Sequence, residues 1–188
     1  EAFISLNKFN PSLGVSYSIS ESDNIYFSTG TSFETPTLNE LSNNPHGNGL
    51  NKKLDPSSSI NYEIGWRKNI SNLMFEAIAY LINTDNEILP YELEQFPGKN
   101  YYRNVGSTRR YGIELSSQLL FSNGKLNLSY TNAKNTFNDF IINGNDLSGL
   151  SLPGIPNQIL DVELIFNLSK RSSLLVNSRL IGELFADN

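Results

Sequence analysis

Hydrophobic and polar residues alternate along much of the chain. In Ile60-Asn61-Tyr62-Glu63-Ile64-Gly65-Trp66-Arg67 every even position is large and apolar or aromatic, and every odd one is polar, charged or glycine. A strand sends successive side chains to opposite faces, so this period of two predicts one apolar face and one polar face. The run from Tyr111 to Leu119 repeats it with Tyr111, Ile113, Leu115 and Leu119 on one side, and 174–180 follows less cleanly. In 73–81 the odd face reads Leu, Phe, Ala, Ala, Leu, while Glu76 sits on the other. The pattern predicts about eight strands, over 11–19, 25–33, 58–68, 73–89, 101–120, 125–139, 157–167 and 172–183.

The connections alternate in length. Short links fall at 20–24, 69–72, 121–124 and 168–171, and long ones at 34–56, 93–100 and 140–156. An up-and-down antiparallel sheet with short turns at one end and long loops at the other is the pattern of an outer-membrane barrel. The alternative is a soluble secreted β-sandwich, an adhesin or glycan-binding module, with the apolar face as its core. The spans 73–89 and 101–120 favour the barrel. They exceed both the usual five or six residues of a strand and the roughly 9–11 needed to cross a bilayer.

Composition narrows the classes. Asn and Ser together exceed a quarter of the chain, and the net charge is −5 with a pI near 4.9. No basic footprint for nucleic acid exists. With no Cys, disulfide scaffolds and thiol chemistry are excluded. No apolar run approaches the length of a spanning helix. Glu1-Ala2-Phe3 has no signal-peptide character, so a mature or internal piece is expected.

Several ordered runs resemble the TonB-dependent receptor family. Phe9-Asn10-Pro11-Ser12-Leu13-Gly14 is similar to a stretch leading into a family strand, and Ser32-Phe33 followed by Pro36 and Glu40-Leu41 to a later one. Leu54-Asp55-Pro56 with Tyr62-Glu63-Ile64-Gly65 resembles the family's Leu-Pro-Glu and Tyr-Glu-Leu-Gly block, with Ser57 in place of Glu. Asn104-Val105-Gly106, Gly112-Ile113-Glu114 and Leu152-Pro153-Gly154-Ile155-Pro156 follow in the family's order.

The resemblance implies an all-β, up-and-down transmembrane β-barrel segment. It would supply about eight strands of a barrel of about 22, with residues 1–188 as a partial barrel domain. The N-terminal plug and the closing C-terminal strands are expected to lie outside this sequence. It further implies an outer-membrane transport receptor of a Gram-negative bacterium, not an enzyme. Such a receptor takes up a ferric siderophore or similar nutrient complex, with cobalamin, haem or a glycan as other ligands. Its energy comes from the TonB complex, contacted through the N-terminal region. No cofactor or resident metal is implied.

Candidate residues follow from the two faces and the loops. Glu63, Arg67, Glu76, Arg110 and Glu114 are expected to face the lumen, where Glu63 and Glu114 can pair with Arg67, Arg110 or the plug; an outward charge near the bilayer centre would be costly. Gly65 and Gly112 on that face leave room for a plug or a strand kink. Tyr62, Trp66 and Tyr111 face lipid. For ligand contact the long loops offer Asn44, His46, Asn48 and Lys52, then Tyr91, Gln95, Phe96, Tyr101 and Tyr102, since recognition residues concentrate on loops over rigid scaffolds. His46, the only histidine, has no nearby Ser or Cys to make a catalytic base of it. The clusters at 85–87 and 143–146 lack calcium-loop spacing and are expected to be turn chemistry.

Overall fold

The computed structural model describes residues 7–142 and 144–186. Asn143, the N-terminal segment 1–6 and the terminal Asp187-Asn188 lie outside the described residues. So do the expectations placed on them: the missing signal peptide and part of the 143–146 cluster.

Eight strands form one antiparallel sheet in which every strand pairs with its neighbour in the chain path. They are β1 (Ser12–Ser18), β2 (Asp23–Glu34), β3 (Ser57–Ile70), β4 (Leu73–Asp85), β7 (Ser107–Phe121), β8 (Gly124–Asp139), β11 (Gln158–Ser169) and β12 (Ser172–Ile181). Turns such as Ser71-Asn72 and Ser122-Asn123 join them at one end, and the long connections all leave from the other.

Cross-strand register separates the faces. One row reads Tyr17, Ile25, Trp66, Ala77, Leu115, Tyr130, Leu160, Leu180 across all eight strands. One residue along, the row reads Ser18, Asn24, Arg67, Glu76, Ser116, Ser129, Asp161, Arg179. From Arg67 to Arg179 the polar row lines the concave groove of the sheet, so the apolar row is on the convex side. No second layer covers the convex face among the described residues; Val15 stays 61% exposed and Ile64 53%. Soluble monomers rarely leave so continuous an apolar face in water, which favours a lipid-facing sheet over the sandwich, in which this face would be the core.

Charges mark the ends of the apolar band. At the turn end Lys68 pairs with Asp23 at 3.1 Å, and Trp66 donates its indole N–H to the same carboxylate at 3.2 Å. At the loop end Arg109 donates to Asn83 at 3.0 Å.

The two overlong strands are each divided. The strand predicted over 73–89 leaves the sheet at Asp85, and the one predicted over 101–120 joins it only at Ser107. Between them β5 (Ile88–Leu93) and β6 (Phe96–Asn104) form a separate hairpin, so the expected loop 93–100 is mostly strand. Asn86 takes a left-handed φ of 55°, and a Cβ on Gly106 would lie 2.0 Å from the Asp139 carbonyl oxygen, so the chain bends there. Pairing continues through the bend, from the Asn86 amide to the Gly106 carbonyl and from the Val105 amide to the Glu87 carbonyl. The long strands therefore still protrude beyond the band, but as a sheet with a bent hairpin on top. The 34–56 connection likewise contains a short helix, α1 (Leu38–Ser42), whose capping box joins Thr37 and Glu40.

The molecule's buried core lies in this loop layer. Val105, Phe137, Phe140 and Leu152 cluster there, joined by Leu89 and Ile155. Two short pairing segments, β9 (Ile141–Ile142) and β10 (Asn145–Asp146), stiffen the third connection, which bridges back to β8 through Thr136 and Ser151.

Candidate functional site

The concave wall is polar because alternate positions of eight strands put their hydrophilic side chains there. Glu63, Arg67, Glu76, Arg110 and Glu114 all stand on it. Their pairing differs from the sequence expectation. Arg67 meets Glu76 at 2.5 Å, directly across β3 and β4. Arg110 forks onto Glu87, which also accepts from Thr108. Neither arginine is ion-paired with Glu63 or Glu114, because their register partners lie elsewhere: Tyr80 opposes Glu63, and Ile78 opposes Glu114. Arg179 meets Asp161 at 2.6 Å, and Gln118, Asn127 and Glu163 continue a hydrogen-bonded line across three strands.

The two concave glycines do not leave open room. The Tyr26 ring lies over Gly65, with the Arg67 guanidinium 4.6 Å from the ring centre. Gly112 allows the β8 backbone to come close, since a Cβ there would lie 2.4 Å from the Asn132 carbonyl oxygen.

Beyond the sheet, three long connections gather at its loop end as a crown. In the first, the Asn44 side chain accepts from the His46 amide at 2.9 Å, while His46, Asn48 and Lys52 are exposed. In the hairpin, Gln95 and Phe96 occupy the exposed tip. Tyr91 and Tyr101 are cross-strand partners with ring centres 6.1 Å apart, and Phe96 lies 6.3 Å from Tyr101. Tyr101 is only 3% exposed, so it holds its neighbours in place from within; Tyr102, opposite Pro90, points to the other face and is half-buried. The structure thus groups Tyr91, Phe96 and Tyr101 on the hairpin, while the four polar residues of the first loop stand on a separate segment.

Four residues in this region carry roles the sequence did not suggest. Arg103 stacks its guanidinium 4.6 Å from the Tyr91 ring and 5.5 Å from Phe140, and its buried Nε has no hydrogen-bond partner. Burial holds its pKa below the usual arginine value. Glu87 and Thr108 make the ion-paired knot at the hairpin base, and Thr108 is 1% exposed. Asn104 bridges two connections. Asn104 lies in the Asn-x-Gly run and Glu87 in the 85–87 cluster read as turn chemistry; nothing local marks Arg103 or Thr108.

Comparison with known proteins agrees with this geometry. The sequence model of the family described as TonB dependent receptor-like, beta-barrel matches residues 2–170. The vitamin B12 transporter BtuB of Vibrio vulnificus is 32% identical over 105 residues, which are 56% of this chain and 16% of that protein. Among solved structures, the ferric yersiniabactin uptake receptor of Yersinia pestis superposes with a TM-score of 0.68 at 17% identity, over 94% of this chain and 26% of its own. A ferric enterobactin receptor of Pseudomonas aeruginosa gives 0.67 at 19%, over 92% and 28%. A copper transporter, OprC, gives 0.68 at 20%, over 90% and 25%. The chain therefore spans about a quarter of the length of these structures and less of the curated relative, and the structural likeness shows the fold.

Proposed function

Since the chain belongs to the TonB-dependent receptor-like β-barrel family and is a stretch of outer-membrane barrel wall, we propose that it serves a nutrient-import receptor, supplying part of the lumen wall and three ligand-selecting loops. The observation that carries this reading is the crown. Aromatic and polar side chains gather on connections that all leave one end of a sheet whose other end has only tight turns. A hydrogen-bonded sheet provides a stiff tube in lipid, and its loops provide choice. The ligand class we favour is a ferric siderophore, a reading supported by the ferric siderophore receptors among the structural relatives. Cobalamin is the second reading, supported by the 32% identical relative. Uptake energy would come from the TonB system, as the family implies.

The test uses the whole receptor in a strain lacking its own uptake systems. Deleting 43–51 is expected to abolish uptake of the ligand while leaving heat-modifiable migration on gels, the mark of a folded barrel, intact. Unchanged uptake of radioiron as ferric enterobactin and of labelled cobalamin would overturn the loop-recognition reading.

A further inference from the structure

We propose that Asn104 is a positioning residue that makes the first long loop and the β5–β6 hairpin one recognition body; this rests on the reading that those loops select the ligand. Asn104 is the last residue of β6. Its Oδ1 accepts from the Asp55 amide at 2.8 Å, and its Nδ2 donates to the carbonyls of Asp55 at 2.7 Å and Asn86 at 2.7 Å. One carboxamide thus ties three backbone segments, and Asp55 lies 49 positions from it along the chain. An asparagine side chain carries an acceptor and two donor hydrogens on one short stem, and all three are used. Aspartate would lose both donors. Alanine would lose everything.

The segments joined are the ones that matter for aiming the crown. Asp55 follows Leu54, which is buried, and the Asn51 amide bonds back to the Leu41 carbonyl at 2.6 Å at the end of α1. The first loop is therefore internally ordered and packs through α1 on β6. Asn86 is where the hairpin bends out of the sheet. Fixing Asp55 to Asn86 and Asn104 sets the angle between an ordered loop and an ordered hairpin. Without that tie each element keeps its own shape, and only the packing of α1 on β6 is left to hold their relative bearing. His46 and Lys52 on one side, and Tyr91 and Phe96 on the other, would then no longer stand in a fixed relation.

The experiment is backbone hydrogen exchange by mass spectrometry on the full-length receptor in lipid. In Asn104→Ala and Asn104→Asp, amides of 50–55 are expected to exchange tenfold faster or more, while β3 and β4 amides are unchanged. Residues 1–188 contain no cysteine, so in a receptor with any other cysteines replaced by Ser, Asp55→Cys with Asn104→Cys adds a defined staple. Oxidised, it should restore slow exchange; reduced, it should behave as Asn104→Ala. Unchanged exchange at 50–55 in Asn104→Ala, or acceleration spread through the sheet, would overturn the proposal. Binding of ferric enterobactin and cyanocobalamin separates the two readings. If deletion of 43–51 abolishes binding and Asn104→Ala leaves it unaltered, the positioning role fails. If the deletion itself alters nothing, loop recognition fails, and exchange alone decides the tie.

Discussion

Gly65 and Gly112 share the concave face, but a methyl group would meet different obstacles at each. At Gly65 it would press on the Tyr26 ring, 2.2 Å away, and a side chain can rotate aside. At Gly112 it would press on the Asn132 carbonyl, 2.4 Å away, and on the Ala133 Cα, which belong to the β8 backbone. Gly112→Ala is therefore expected to cost about 2–3 kcal/mol and Gly65→Ala about 1 kcal/mol, within the range for overpacking; urea titrations of the receptor in lipid measure both. Arg110→Met removes the partner of Glu87 and leaves a carboxylate facing the buried Thr108. Both charged side chains keep some water contact, so the expected loss is about 1–2 kcal/mol rather than the larger penalty of a fully buried pair. Glu87→Gln with Arg110→Met should recover part of it. Asp146 behaves differently because it is a surface group. The Ser148 hydroxyl and amide hold its pKa below the ordinary 3.8. A depressed carboxylate pKa contributes stability that is present above the unfolded value and lost as pH falls through the folded one. The Ser148 amide resonance is therefore expected to stay constant from neutral pH down to about 4 and to shift below that.

Among the elements, β3 and β4 carry the sharpest contrast between faces. Ile64 and Ala79 are register partners on the convex side, and Arg67 and Glu76 are partners on the concave side. Ile64→Arg is expected to cost roughly 2–4 kcal/mol if the residue lies near the bilayer midplane. Ser116→Arg, next to Glu76 in the polar row, should cost under about 1 kcal/mol. Folding titrations in lipid vesicles compare them, and equal penalties would mean the sheet is inside out. The β5–β6 hairpin shows the other kind of element. Its inner face is set by Tyr91 opposite Tyr101 and Leu89 opposite Arg103, and its register follows from contacts with the third connection rather than from lipid.

At the scale of the whole molecule, the eight-stranded sheet is open, with β1 and β12 at its edges. Edge strands present unpaired backbone donors and acceptors, and hydrocarbon offers nothing to satisfy them. Residues 1–188 expressed alone are therefore expected to give no discrete heat-modifiable monomer in lipid, only crosslinkable oligomers. A stable monomeric band from this segment would contradict the view that wall continuity supplies its stability.

The alternation of Ile60 to Arg67, 73–81 and Tyr111 to Leu119 determined the sheet, its order and its two faces, because a period of two leaves one arrangement that keeps Glu63, Arg67 and Glu76 out of hydrocarbon. Short polar links determined which end carries the turns. The sequence could not show where 73–89 and 101–120 leave the sheet. Both halves of each run are strand, and the bend depends on Asn86 reaching a left-handed φ and on Gly106 meeting the Asp139 carbonyl. Nor could it pair the charges. Arg67 meets Glu76, nine positions away, through the register of a hairpin, and Arg110 meets Glu87, 23 positions away, through the bend. The crown was legible as long and polar connections. Its buried Tyr101, its stacked Arg103 and the Asn104 tie exist only once three loops are folded against each other, since a hydrogen bond across 49 residues leaves no local trace in either segment.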